Sequence, residues 1–126
     1  MITLKMMNKK LLIYTLTALL SSLFIFGCSR ALVENELRFG IEAAQKDLWD
    51  EAIFRWQKAA LAQPQSASVH NNLAVAYEKK GLWEKAKKEY ELALKLDPDN
   101  AYIQSNYQNF KRNYELTKEN STNEKK

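Results

Sequence analysis

The chain has 126 residues, a length that suits a single small domain. Its 46% hydrophobic and 27% charged residues are ordinary globular values, and only three glycines and two prolines interrupt stretches that favour helix. The formal net charge is +4, but three lysines and no acidic residue fall within residues 1–27, so the remainder is nearly neutral. A nearly neutral domain lacks the basic surface that nucleic-acid binding requires, which excludes that class of protein.

The first predicted element is an apolar segment close to the N-terminus. A basic start precedes the apolar run Leu11 to Phe26, and the only cysteine of the chain, Cys28, follows it. The run is shorter than the roughly 20 residues of a membrane-spanning helix, and its length suits the core of a secretory signal peptide. The segment resembles the signal of bacterial lipoproteins, with the four residues from Ile25 to Cys28 in the place of the lipobox.

That resemblance implies that residues 1–27 are a signal peptide, that Cys28 is lipidated and that residues 28–32 are a lipidated linker. A lone cysteine has no disulfide partner in an exported protein, so lipid modification explains its position. Several acyl chains would anchor the protein stably to a membrane. The alternative is an uncleaved signal anchor, in which Cys28 is only the first residue beyond the membrane. In lipoproteins of two-membrane bacteria, Ser29 at the next position implies the outer membrane.

The middle of the chain contains an internal repeat. The phrase "DLWDEA" begins at Asp47 and "GLWEKA" begins at Gly81, and residues 33–66 align with residues 67–100 throughout. A period of 34 residues with this pattern resembles the tetratricopeptide repeat (TPR), in which each repeat is a hairpin of two antiparallel helices. The matched pairs are Leu48 and Leu82, Trp49 and Trp83, Ala52 and Ala86, Trp56 and Tyr90, Ala59 and Ala93, and Pro64 and Pro98.

The residue types predict how each hairpin is built. Gly81 ends the first helix of the second hairpin, since glycine adopts the left-handed conformation without steric cost. Ala86 is small enough to let the two helices approach closely. The first copy has Asp47 in place of Gly81 and Ala43 in place of Tyr77. We therefore expect a strained corner and a less stable first hairpin.

The sequence after Pro98 begins a third unit that lacks a second helix. Asn100 is a suitable N-cap, and residues 101–116 carry an apolar stripe with polar residues elsewhere, which is typical of the capping helix of a repeat stack. Residues 117–126 are predicted to be disordered, because residues 118–126 contain no apolar side chain. The predicted fold is all-α: two TPR helix hairpins plus a C-terminal capping helix, a short right-handed α-solenoid preceded by a signal helix.

No arrangement of residues typical of catalysis is present in the sequence. His70 is the only histidine and has no acid or cysteine near it in the sequence, and phosphate-binding loops, paired-cysteine metal motifs and nucleophile elbows are missing. We therefore expect no enzyme activity, no catalytic residue, no metal and no cofactor. Two repeats and a cap are also fewer than the roughly three repeats that stability usually requires, which favours self-association or support by a partner.

The TPR resemblance implies a groove, lined by the first helix of each hairpin, that binds a protein or peptide. Apolar and amide side chains in that groove favour a peptide segment or helix as the partner, and the alternative is that these are ordinary exposed residues. We expect a membrane-anchored adaptor or scaffold that faces the periplasm and takes part in assembling an envelope complex. The alternative is a self-associating structural lipoprotein without a dedicated client. The predicted groove residues are Leu37, Ile41, Gln45, Asn71, Val75, Glu78, Lys79, Asn106 and Asn109.

Overall fold

The computed structural model describes the backbone of residues 2–123 and the side chains of residues 8–20 and 30–120. Within residues 2–123 the chain forms helices joined by short turns, without a strand. The prediction of an all-α repeat fold is therefore confirmed. The helices are α1 (Ile2–Ala44), α2 (Trp49–Ala62), α3 (Ala67–Lys79), α4 (Trp83–Leu96) and α5 (Ala101–Asn123).

The helices pack as two successive hairpins and a closing helix. The most extensive contacts are those of α1 with α2 and of α3 with α4, while α2 packs on α3 between the hairpins. Helix α5 contacts both α4 and α3, as the first helix of a third repeat would. The first helices of the second and third units, α3 and α5, therefore contact each other directly.

Small residues allow the helices of each hairpin to approach closely. Ala52 and Ala86, at equivalent positions, are both completely buried, and the bulky Trp56 and Tyr90 are also buried beside them. A small methyl and a large ring are therefore buried on the second helix of both hairpins. Burial of this apolar surface is the main favourable contribution to folding.

The two corners have the same backbone conformation although their sequences differ. Gly81 has a φ of 69° and Asp47 has a φ of 57°, so both residues are left-handed. The amide of Leu82 donates to the Tyr77 carbonyl over 2.8 Å, and the amide of Leu48 donates to the equivalent carbonyl over 3.0 Å. A side chain in this conformation is sterically unfavourable, so the expected strain at the first corner is present at Asp47.

Helix α5 begins as predicted but ends later. The amide of Ile103 donates to Asn100 Oδ1 over 3.2 Å, which confirms Asn100 as the N-cap. The sequence placed the end of the helix at residue 116 and disorder beyond it, whereas the helix continues to Asn123. Contacts one turn apart support this extension: Thr117 Oγ1 donates to a backbone carbonyl over 2.7 Å, and Lys118 Nζ lies 4.2 Å from the centre of the Tyr114 ring. Residues 124–126 lie outside the described residues.

Helix α1 joins the apolar N-terminal segment to the first repeat without a break. Residues 28–32, expected to be a linker, belong to this helix. The described side chains of residues 8–20 are all exposed. In the part of the chain that the structure describes, a helix with the length and hydropathy of a membrane span is not found. Cys28 falls in the stretch 21–29, whose side chains are outside the described residues.

Candidate partner-binding face

The predicted groove residues of the first hairpin lie together on α1. Ile41 is 45% exposed and Gln45 is exposed, whereas Leu37 is half-buried against the core. These three side chains line an open depression of about 610 Å³. Its lining residues come from α1 and from Gln45, which directly follows that helix, so this end of the face is a shallow surface along one helix rather than a closed cleft.

Asn71 has a structural place that differs from its predicted one. Its position in the repeat predicts a place in the open groove, but its side chain is 2% exposed. Its Oδ1 atom accepts a hydrogen bond of 3.0 Å from Asn106 Nδ2. The pair of amides therefore joins α3 to α5, and Asn71 offers almost no surface to a partner. Asn106, which is half-buried, is engaged in the same bond.

Glu78 is also engaged within the chain. Its two carboxylate oxygens accept hydrogen bonds from the Tyr90 hydroxyl at 3.1 Å and from Asn113 Nδ2 at 3.0 Å. Glu78 thus connects α3 with both α4 and α5. Burial raises the pKa of Tyr90, and the nearby Glu78 carboxylate raises it further. This keeps the Tyr90 hydroxyl protonated and able to donate.

The remaining predicted residues differ in how much surface they offer. Val75 is half-buried and packs at the edge of the core, while Lys79 is exposed. Asn109 is exposed, and its side-chain oxygen accepts from Arg112 on the same helix. Of the nine predicted groove residues, those whose side chains are exposed are Ile41, Gln45, Lys79 and Asn109.

His70 has the acidic partner that its sequence neighbourhood lacks. The ring is 7% exposed, and its Nδ1 lies 2.7 Å from Glu89 Oε2 on α4. Its Nε2 lies 2.9 Å from the carbonyl oxygen of Pro64, which can only accept a hydrogen bond, so Nε2 is the donor. His70 therefore fastens the loop before α3 to α4. Among the described residues, His70 belongs to no cluster of three or more residues able to hold a metal.

The first hairpin contains an equivalent link, with the carboxylate on the first helix instead of the second. Glu36 stands 34 residues before His70, and Arg55 stands 34 residues before Glu89. Glu36 is 5% exposed, and its carboxylate is paired with Lys58 Nζ at 2.7 Å and with Arg55 at 3.4 Å. The hydrogen bond from Lys58 is the main reason that the pKa of Glu36 lies below its usual value.

These cross-links were not found from the sequence because their partners are far apart along the chain. His70 has no acidic neighbour along the sequence, and the cations that pair with Glu36 lie 19 and 22 residues away from it. The available signal was the 34-residue offset itself, which brings positions 36 and 55 into the same relation as positions 70 and 89.

Comparisons with known proteins agree with this architecture. The tetratricopeptide repeat family model matches residues 67–100. A solved structure described as the Arabidopsis OM64 TPR domain matches with a TM-score of 0.65 at 18% identity, over 72% of this chain and 75% of that one. Mouse protein O-mannosyl-transferase TMTC4 is 45% identical over 60 residues, which are 48% of this chain and 8% of that protein.

Residues 67–100 are similar to the tetratricopeptide repeat family, and the fold of the chain is that of a TPR domain. TPR domains act in protein–protein interaction and are generally non-catalytic. The chain spans only a small part of the length of TMTC4, with 8% of that protein matched. The general role supported here is therefore the binding of a protein or peptide.

Proposed function

We propose that this protein is a membrane-anchored TPR adaptor of the bacterial envelope, facing the periplasm from the outer membrane. Its repeats bind a protein or peptide on the face formed by α1, α3 and α5, and so recruit that partner to an envelope assembly. The single observation that carries the proposal is that a folded TPR unit is continuous with an apolar helical segment whose described side chains, those of residues 8–20, are all exposed.

The exposed N-terminal segment supports the membrane part of the proposal. Its large apolar side chains between Leu11 and Leu20 are 58–69% exposed. Leaving such a surface in water is unfavourable, and its removal into lipid is favoured by roughly 25 cal/mol for each Å² of apolar area. A segment of this kind directs the chain into a membrane. Lipid on Cys28 would then hold the folded domain there after cleavage.

The chemistry of the exposed face supports a peptide or helix as the partner. Ile41 supplies an apolar contact, Gln45 and Asn109 supply amides, and Lys79 supplies one cation. The carboxylate of Glu78 is already satisfied by two donors from the chain itself. A partner that combines backbone amides with an apolar side chain fits this face better than a strongly charged one.

Mass spectrometry of the mature N-terminus tests the anchor. The expected N-terminal peptide begins at Cys28 and carries the mass of a diacylglycerol group with or without a third acyl chain. The variant Cys28→Ser serves as the control and should retain its signal segment. A wild-type chain that still begins at Met1 would favour the uncleaved signal anchor instead.

Site-specific photocrosslinking in cells tests the binding face. A photoreactive amino acid at Ile41 should form adducts with a foreign protein, and the same amino acid at Leu61 should not. Leu61 is a suitable control because it lies on α2 and is 85% exposed. Equal adducts at both positions would argue against a binding face on α1.

Self-association is the second candidate function. Besides Leu61, helix α2 exposes Phe54 by 52%, and α1 exposes Phe39 by 42%, so apolar rings remain uncovered on the first hairpin. In the crosslinking experiment, adducts made only between copies of this chain would favour a self-associating structural lipoprotein over an adaptor.

A further inference from the structure

An apolar notch lies where the corner of the second hairpin meets the end of α5. We use the term corner notch for the space between Gly81, Leu82 and Trp83 on one side and Tyr114, Thr117 and Lys118 on the other, with Glu84 and Lys85 at its rim. Its volume is about 500 Å³, within the range of roughly 300–1,000 Å³ typical of ligand pockets. It contains none of the predicted groove residues.

The corner notch exists because α5 is longer than the repeat requires. Helix α5 has 23 residues, whereas α3, the equivalent helix of the second repeat, has 13. The additional turns of α5 therefore pass beyond the corner at Gly81 and form a second wall. The first hairpin lacks such a wall: α3 ends at Lys79, and Lys80 Nζ binds Asp50 over 2.9 Å at the corresponding place.

The side of the notch formed by rings is apolar and ordered by aromatic contacts. The Trp83 and Tyr114 rings have their centres 6.4 Å apart, and Tyr114 stacks on the buried Phe110 at 5.5 Å. Pairs of this kind favour their own geometry beyond the effect of burying apolar area. The notch is thus a formed surface that can receive an apolar or aromatic side chain.

The rim of the notch carries an excess of positive charge. Lys118 Nζ lies over the Tyr114 ring at 4.2 Å, and the exposed Lys85 stands on the α4 side. The only acid among the lining residues is Glu84, and its carboxylate accepts a hydrogen bond from the Tyr114 hydroxyl. Two cations beside an aromatic floor are complementary to carboxylates that flank an apolar side chain.

We propose that the corner notch is a second docking site, which takes a short acidic segment of a partner protein. A large apolar or aromatic side chain of that segment enters between Trp83 and Thr117, and the carboxylates next to it lie beside Lys85 and Lys118. This goes beyond the proposed function, because the site is separate from the α1, α3 and α5 face and stands if that face binds nothing.

Fluorine NMR of the full chain, labelled with 5-fluorotryptophan and held in detergent micelles, tests this site. The chain has three tryptophans, Trp49, Trp56 and Trp83, and each gives its own signal once assigned by single Trp→Phe variants. The probe is the peptide acetyl-GSFDEGS-amide. It should shift the Trp83 signal in a saturable way and leave the other two unchanged. The peptides acetyl-GSADEGS-amide and acetyl-GSFKKGS-amide should each bind roughly five- to tenfold more weakly.

Charge reversal provides the matched comparison. Lys85→Glu, and Lys85→Glu combined with Lys118→Glu, should weaken binding of the acidic peptide, the double variant by roughly five- to tenfold. Lys88→Glu, an exposed position on the same helix outside the notch, should change it by less than about twofold. Lys85→Glu alone leaves the Lys118–Tyr114 contact of α5 intact. If the double variant fails to fold, the single variant therefore still tests whether the rim charge contributes to peptide binding.

Three outcomes would overturn the proposal. The first is a Trp83 signal that the acidic peptide does not move, and the second is an equal shift of all three tryptophans. The third is a Trp83 signal that moves with protein concentration in the absence of peptide, since this would mean that a second copy of the chain occupies the notch.

Discussion

The indole ring of Trp56 leaves no room for a side chain at Gly40. A Cβ atom built on Gly40 would lie 2.1 Å from Trp56 Nε1 and 2.6 Å from two carbons of the same ring. The Trp56 Nε1–H group also donates to the Leu37 carbonyl over 3.3 Å, so the ring is fixed in this position. Gly40→Ala therefore requires the buried indole to move.

The expected change in the free energy of unfolding is the sum of three contributions. Alanine in a helix interior is more favourable than glycine by about 1 kcal/mol. Overpacking of a core usually costs about 1–3 kcal/mol, and loss of the indole hydrogen bond costs a further ~0.5–1.5 kcal/mol. The substitution should therefore lower the free energy of unfolding by about 1–3 kcal/mol, although it improves helix propensity.

The second hairpin supplies the matched control. There, Ala74 stands at the position of Gly40, and Tyr90 stands at the position of Trp56. In a Trp56→Tyr background the clash should be relieved, and Gly40→Ala should become neutral or stabilising by up to about 1 kcal/mol. Urea denaturation in mild detergent, followed by circular dichroism at 222 nm, gives the free energies of the four chains. If Gly40→Ala stabilises the chain that retains Trp56, the steric argument is wrong.

Three other substitutions test the packing and electrostatics. Glu36→Gln should lower the free energy of unfolding at pH 7 and reduce its acid-induced loss below about pH 4.5 in urea titrations. The pKa of Glu36 is lowered in the folded state, so its carboxylate contributes stability above its unfolded-state pKa, and this stability is lost as the pH falls through its folded-state pKa. An unchanged pH profile would count against the pairing with Lys58. Asp47→Gly should raise the free energy of unfolding by about 0.5–1 kcal/mol, since glycine tolerates the left-handed corner, and a lower melting temperature would contradict this. Ala86→Leu should lower the free energy of unfolding by about 1–3 kcal/mol in the same urea assay, because the fully buried methyl leaves no room for a larger side chain, and an unaltered midpoint would disprove close packing there.

Local signals predicted most of the fold. The left-handed corner at Gly81, the cap at Asn100 and the buried alanines are each encoded by one residue type in a short stretch, and the 34-residue offset repeats them. The end of α5 was misplaced for the same reason. Its last turns are polar in sequence, and the contacts that support them, such as Lys118 on Tyr114, depend on the side chains meeting in the helix.

The candidate face was harder to predict than the fold, because exposure depends on contacts between helices. A position on the first helix of a repeat indicates the side of the stack, but not whether the side chain is already bonded. Asn71 and Glu78 share the side of Ile41, yet both are engaged by partners on α5, which lie 35 residues further along the chain. A repeat alignment supplies this information only in part, since Asn106 has an asparagine, Asn72, at the equivalent position of α3, whereas Asn113 has Lys79 there.

The link between the helices has its carboxylate on α1 in the first hairpin and on α4 in the second, and this exchange has a consequence for correct assembly of a duplicated sequence. Because the two repeats are alike, the first helix of either hairpin could also pack against the second helix of the other hairpin. Such mispairing would set Glu36 against Glu89, two carboxylates, and would set His70 against Arg55, which carries no acceptor. The two links differ in which helix carries the carboxylate. They therefore favour the correct pairing of helices that hydrophobic patterning alone would leave interchangeable.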